Sequence, residues 1–188
     1  MVENTSLRNQ FLVAMPGMVD GNFDHTVTLL CEHTPEGAMG LVINRPTTLD
    51  LRDMLQHMGI PIERLDGEPI PVYWGGPVQP ERGFVLHSSE AARWDSTLKL
   101  SDAISVTTSK DILVAISQGQ GPAHYLVTLG YAGWSAGQLE QEILHNSWLN
   151  TPADSAIVFE TPTAARWEAA ARLLGVDVRL LGTDPGHA

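Results

Sequence analysis

Cysteine occurs once in the 188 residues, lysine twice, and Lys and Arg together number 11 against 22 acids. A lone Cys31 cannot close an internal disulfide, so a reducing cytoplasm is the expected setting. The net charge is −11 and Lys99 and Lys110 are the only lysines. Without a clustered basic footprint, phosphate neutralisation has no carrier, which disfavours direct DNA or RNA binding and attraction to an anionic membrane. No apolar run nears the roughly 20 residues of a membrane helix. The opening MVENTSLRNQFLVAMPG has neither the basic segment nor the long apolar core of a signal peptide.

Metal and cofactor patterns are equally sparse. Histidines 25, 33, 57, 87, 124, 145 and 187 are dispersed, no H-E-x-x-H occurs, and no second cysteine could join Cys31 around zinc. Neither dinucleotide-type nor P-loop glycine spacing is present, so no cofactor is expected. Repeats, low-complexity tracts and long linkers are absent as well. What remains is 43% hydrophobic and 18% charged, a balance that favours a compact globule. The length suits one domain, 1–188, with short flexible termini.

Periodicity and punctuation predict strands at 10–14, 26–32, 40–44, 71–74, 83–87, 103–107, 125–131 and 156–160. The segment HTPEGAM reads as a hairpin loop between the second and third. Helices are expected at 50–58 (capped by Thr48, stopped by Gly59), from the Thr108-Ser-Lys-Asp111 box to about Gly119, at 136–145 and at 162–174. Strands cluster early and alternate with helices later. That implies an α+β fold with a mixed, largely antiparallel sheet and helices packed on it.

Few residues advertise chemistry. Gly133-Trp134-Ser135-Ala136-Gly137 fits the nucleophile-elbow pattern between a strand and a helix. A base should follow, yet only His145, in the same helix, and His187, in the tail, lie downstream. Gln138 instead pairs with Ser135 as a capping box, so Ser135 reads as a helix cap. Cys31 shares a strand face with Val27, Leu29 and His33. It reads as a small core hydrophobe rather than a thiolate nucleophile. Gly75-Gly76-Pro77 and Gly119-Gln120-Gly121-Pro122 read as tight turns; anion nests are the rival reading. Asp20, Asp24 and Glu32 could meet across the first loop, but solvated turn acids explain them. Asn44 and Arg45 close an apolar strand ahead of Pro46, which should extend Arg45 beyond the strand end. The candidate ligand-facing set is therefore Asp20, Asn44, Arg45, Gly75 and Gly76.

Four stretches taken together resemble the bacterial AlgH/YqgE family. They are QFLVAMPGMVDGNFDHTVTLLCEHTPEGAMGLVINRP, YWGGPVQPERGFVLH, SVTTSKDIL and LGYAGWSAGQLEQEILHNSWL, collinear over about 10–175. The resemblance implies a soluble cytoplasmic protein whose mixed sheet curls into a pseudo-barrel flanked by helices. It also carries a proposed role in transcriptional regulation of alginate synthesis, and brings no catalytic residue or cofactor. With so acidic a chain, an indirect effect on transcription fits better than direct DNA binding. The reading is a binding or regulatory module for a protein or small-molecule partner. The alternatives are a hydrolase or thiol enzyme using Ser135 or Cys31, and a DNA-binding regulator.

Overall fold

The computed structural model describes residues 6–16, 21, 23–89 and 94–177. Among the described residues ten strands and five short helices succeed one another. They are β1 (Gln10–Ala14), β2 (Val27–Thr34), β3 (Gly37–Val42), β4 (Pro46–Asp50), α1 (Leu51–His57), β5 (Pro71–Trp74), β6 (Val78–Ser88), β7 (Thr97–Lys99) and β8 (Ile104–Thr107). Then come α2 (Lys110–Ser117), β9 (Tyr125–Ser135), α3 (Gln138–Leu144), β10 (Trp148–Pro152), α4 (Ser155–Phe159), a 3-10 turn (Thr163–Ala165) and α5 (Arg166–Arg172).

The sheet runs β10-β1-β2-β3-β9-β6-β8-β7, with β5 inserted beside β9 and β4 beside β5. Every pairing is antiparallel except β5 with β9, so the sheet is mixed and largely antiparallel, as expected. It curls into a half-barrel flanked by helices. Across the open side, Arg8 Nη2 donates to the Lys99 carbonyl at 2.6 Å, tying the start of β1 to the far edge strand β7.

Alternation along the strands sorts the core into layers. Phe11, Val13, Leu29, Leu41, Ile43, Phe84 and Leu86 form one cluster with Ile157 and Val158 of α4 and Ala170 and Ala171 of α5. The intervening positions Val72, Val85 and Val127 pack under Leu51 and Leu55 of α1 and Ile112 and Ile116 of α2. Leu51, Leu55 and Ile112 are fully buried, each worth roughly 1.5–3 kcal/mol of transfer free energy. A third cluster sets Leu12, Leu30, Ala132 and Trp134 against Leu139 of α3 and Trp148. There one carboxylate oxygen, Glu142 Oε1, accepts from both indoles, Trp134 Nε1 at 3.2 Å and Trp148 Nε1 at 3.0 Å.

Several expected elements differ. Residues 156–160 are not a strand: α4 spans Ser155–Phe159, capped by Asp154, whose Oδ1 accepts from Ala156 N at 2.9 Å. A short apolar run carries no periodicity of its own, and the cap decides it. HTPEGAM is mostly strand, because β2 and β3 pair down to Thr34 opposite Gly37. Helix α1 is capped by Asp50 rather than Thr48, which lies inside β4. The α2 cap is Ser109. The final helix begins as a 3-10 turn, and α5 itself covers only Arg166–Arg172. Strands β4, β7 and β10 were not expected; they are short and mostly polar, with little alternation to see. Among the described residues no helix is long and apolar enough to cross a membrane.

Candidate functional site

The two longest strands among the described residues shape a broad concavity. Both β6 and β9 run eleven residues, and their pairing slips between Val78 and Gly83. Beyond that irregularity the sheet bends away, and the half-barrel opens into a cavity of about 820 Å³. Its apolar wall is Met39 from β3, Phe84 from β6, Leu98 from β7, Val106 from β8 and Tyr131 from β9. Phe84 and Tyr131 meet edge to face with centroids 6.0 Å apart, a favoured aromatic arrangement. Charged lining comes from Glu32, Glu36 and Asp95, with Arg82 the one cation among the described lining residues. The Arg82 guanidinium carbon lies 5.2 Å from the Phe84 ring centroid, a cation–π contact. Among the described residues no carboxylate pairs with Arg82. An exposed cation therefore stands over an apolar wall with its hydrogen-bond donors open to a ligand.

Cys31 also borders the cavity, at the bulge between Leu30 and Glu32 in the β2–β3 ladder. It is 1% exposed, and its thiol is directed at the Leu29 carbonyl at 3.7 Å. Burial, reinforced by the Glu32 charge, pushes the thiol pKa up to about 12. The thiolate is the nucleophilic form, so at neutral pH Cys31 is held inert. The expected result is that iodoacetamide at pH 8 labels folded protein at least about 100-fold more slowly than urea-unfolded protein, since thiolate fraction and access both fall. Mass spectrometry of the alkylated chain reads this directly, and equal rates would restore Cys31 as a candidate nucleophile.

Ser135 ends β9 and is not the cap of α3; that position is Gly137, at φ +77°. Only the return half of the expected capping box forms. Gln138 Oε1 accepts from Ser135 N at 3.0 Å and from Ser135 Oγ at 3.3 Å. The reason is that β9 continues through GWS to pair with β3, Ser135 opposite Gly37, which delays the helix by two residues. His145 is no base for this hydroxyl: its Nδ1 lies 2.7 Å from the Gln141 carbonyl of its own helix. His187 lies outside the described residues. The partners of His33 are structural. Its Nδ1 accepts from Leu7 N at 2.8 Å, so Nε2 carries the proton and donates to Glu140 Oε1. That bond holds the Glu140 carboxyl below its usual range.

The four described candidate residues fall at another place. Asn44 Oδ1 accepts from Val27 N at 2.9 Å, and its Nδ2 donates to the His25 carbonyl at 2.8 Å. Arg45 Nη2 donates to the Asp24 carbonyl at 2.9 Å, and its guanidinium carbon sits 5.3 Å from the Trp74 centroid. Gly75 receives Val42 N at 2.9 Å and gives its own N–H to Leu129 at 2.8 Å. The structure therefore does bring Asn44 and Arg45 together with Gly75, where β3, β5 and β9 meet. Gly76 continues that junction against the Tyr131 backbone. Asp20 lies outside the described residues. Asp24 does not join Glu32 in an acid cluster; it sits on His25 Nδ1 at 2.7 Å, while Glu32 borders the cavity.

Sequence reasoning missed Arg82, Leu98, Met39 and Tyr131. The inward row Phe84 and Leu86 was readable as one face of a strand, but nothing in the order of residues places β7 opposite the β2–β3 hairpin.

Comparison with known proteins places these features in a wider set. A family model described as DUF179, AlgH-like, matches residues 11–179. A UPF0301 protein of Thioalkalivibrio sulfidiphilus is 55% identical over 188 residues, covering all of both chains. One from Methylococcus capsulatus is 52% identical over 181 residues, 96% of each. The solution structure of the AlgH protein from Pseudomonas aeruginosa superimposes with a TM-score of 0.78 at 48% identity, over 100% of this chain and 99% of that one. A crystal structure of a Corynebacterium diphtheriae protein shares the fold at a TM-score of 0.76 and 21% identity, over 98% and 95% of the two chains.

Proposed function

The chain belongs to the AlgH-like family, and from that premise we propose that it is a non-catalytic binding module whose ligand occupies the cavity of the half-barrel. The single observation that carries this is Arg82, a cation without a carboxylate partner among the described residues, set over the Phe84 ring at the edge of an apolar wall. Ligand sites commonly combine an apolar lining with a few convergent polar groups, in volumes of about 300–1,000 Å³. Asn44, Arg45, Gly75 and Gly76 serve in this reading as the brace of the sheet rather than as ligand contacts. The protonated, buried Cys31 and the Gln138-bound Ser135 count against the hydrolase and thiol-enzyme alternatives. Any influence on transcription is indirect in this proposal, since a net charge of −11 opposes approach to phosphates. A cytoplasmic setting is part of the same proposal.

The test uses 1-anilinonaphthalene-8-sulfonate, which joins apolar rings to one anion. Saturable one-to-one binding is expected, followed by its fluorescence. Arg82→Ala should weaken it roughly tenfold or more, because a hydrogen bond to a charged group is worth about 1.5–3 kcal/mol. Binding that ignores Arg82→Ala, or no binding at all, would remove the cavity from the reading.

A further inference from the structure

We infer that the outer edge of β7 is a docking strand for an extended, basic peptide segment, which lies in the cavity as one added strand of the half-barrel. The inference rests on the cavity reading above and names an occupant whose backbone carbonyls, rather than an anionic group, would meet the Arg82 donors.

The first argument is the direction of the backbone groups. Thr108 N donates to the Ser96 carbonyl and Leu100 N to the Ile104 carbonyl. In an antiparallel ladder hydrogen-bonding residues alternate, so Ser96, Leu98 and Leu100 face β8. Thr97 and Lys99 therefore turn their N–H and C=O groups the other way, toward the open side of the curl. The Arg8 bond to the Lys99 carbonyl confirms that direction. No described strand pairs with this edge. It thus offers the Thr97 N–H, the Thr97 C=O and the Lys99 N–H, the three groups an incoming strand would use.

The second argument is where that edge lies. Asp95, Ser96, Thr97 and Leu98 all line the cavity, with the β2–β3 hairpin as its opposite wall. Leu98 packs with the inner core cluster. On an added strand, the residue opposite Leu98 would point the same way, toward Phe84 and Val106, so an apolar side chain suits that position.

The third argument is charge. Glu32, Glu36 and Asp95 surround the opening and are all exposed, against Arg82 as the one cation among the described lining residues, while the Arg8 guanidinium is held on the Lys99 carbonyl at the end of the edge. Lys99 is already paired with Asp102 at 3.1 Å. The rim is complementary to Lys or Arg on either side of the apolar residue.

The probe is the dye-labelled peptide Arg-Thr-Val-Thr-Arg, blocked at both ends, followed by fluorescence anisotropy on the full chain. Its counterpart carries N-methyl groups on the central three residues, which removes the donors while keeping the side chains. The expected result is binding that N-methylation weakens at least fivefold. Lys99→Pro removes one outward N–H and leaves the β8 ladder intact, since edge proline is tolerated where its nitrogen faces away from the ladder. It should weaken the peptide similarly while the anilinonaphthalene probe still binds. Glu36→Lys should weaken the peptide and leave that anionic probe unchanged or tighter. If Lys99→Pro does not fold, the N-methylated peptide on unaltered protein decides alone. Anionic-probe binding without peptide binding, or peptide binding indifferent to N-methylation, overturns the docking strand and spares the cavity. Binding of neither overturns both.

Discussion

Gly76→Ala is expected to lower the unfolding free energy by about 4 kcal/mol or more, or to prevent folding outright. A Cβ built at this position would lie 2.0 Å from the Tyr131 carbonyl carbon, 2.2 Å from its oxygen and 2.3 Å from Ala132 N. All three are backbone atoms of β9, and β9 is paired with β3, β5 and β6 at once. A side chain in the way could rotate; a strand held by three neighbours cannot. The crowding is mutual, because a Cβ on Gly130 would come 2.3 Å from the Gly76 oxygen. Losses of this size belong to overpacking and forced backbone strain rather than to ordinary substitutions. Gly83→Ala is the control, since its Cβ would meet only Leu129 Cδ2 at 3.9 Å. Urea unfolding of both variants settles the matter. If Gly76→Ala unfolds within 1 kcal/mol of Gly83→Ala, about the size of an ordinary substitution effect, the close approach of these strands is not as described.

The second large effect is expected at Arg166. It is 5% exposed, and no acidic partner appears among the described residues. Its guanidinium instead donates to two carbonyls, Ile43 through Nη1 and Thr161 through Nε at 3.1 Å. The guanidinium carbon sits 5.4 Å from the Tyr73 ring centroid, and Tyr73 Oη in turn bonds Thr163 Oγ1 at 2.8 Å. One side chain thus fastens α5 and the turn before it to the ends of β3 and β5. Arg166→Ala strands two carbonyls away from water and opens a void, for an expected loss of about 3–4 kcal/mol. Arg166→Lys keeps a charge and a donor but not the planar fork, so it should fall between Ala and the parent. Equal stability of the Lys and Ala variants in urea unfolding would show that the fork geometry is irrelevant.

These two residues mark the limit of what the order of amino acids disclosed. Strands 10–14 and 71–74 were legible to the residue because apolar runs bounded by Gly, Pro and polar residues leave few alternatives. The mixed sheet and the family followed from such runs and from collinear motifs. AIVFE was not legible, since a run of four apolar residues fits a strand or a helix and Asp154 decides between them. The turn signal in GWSAG was legible, but its use was not: β9 needed Trp134 and Ser135 for pairing with β3, and the helix began later. Asn44, Arg45 and Gly75 each stand at a strand end near a Gly or Pro, and they share one junction of the sheet. Their hydrogen bonds are what the sequence alone could not assign. The cavity is a property of closure: Arg82, Leu98 and Met39 become neighbours only when the sheet curls.

Gln10 of β1 pairs with Pro152 of β10, a separation of roughly 140 residues. On a ribosome adding about 5–20 residues per second, one edge of β1 waits on the order of ten to thirty seconds for its partner. During that interval FLVA offers an apolar strand edge to any neighbouring nascent chain. Formation of this ladder closes a very long loop, and long loops are slow to close. Slower synthesis is therefore expected to lengthen the exposure of this edge, whatever the stability of the finished sheet.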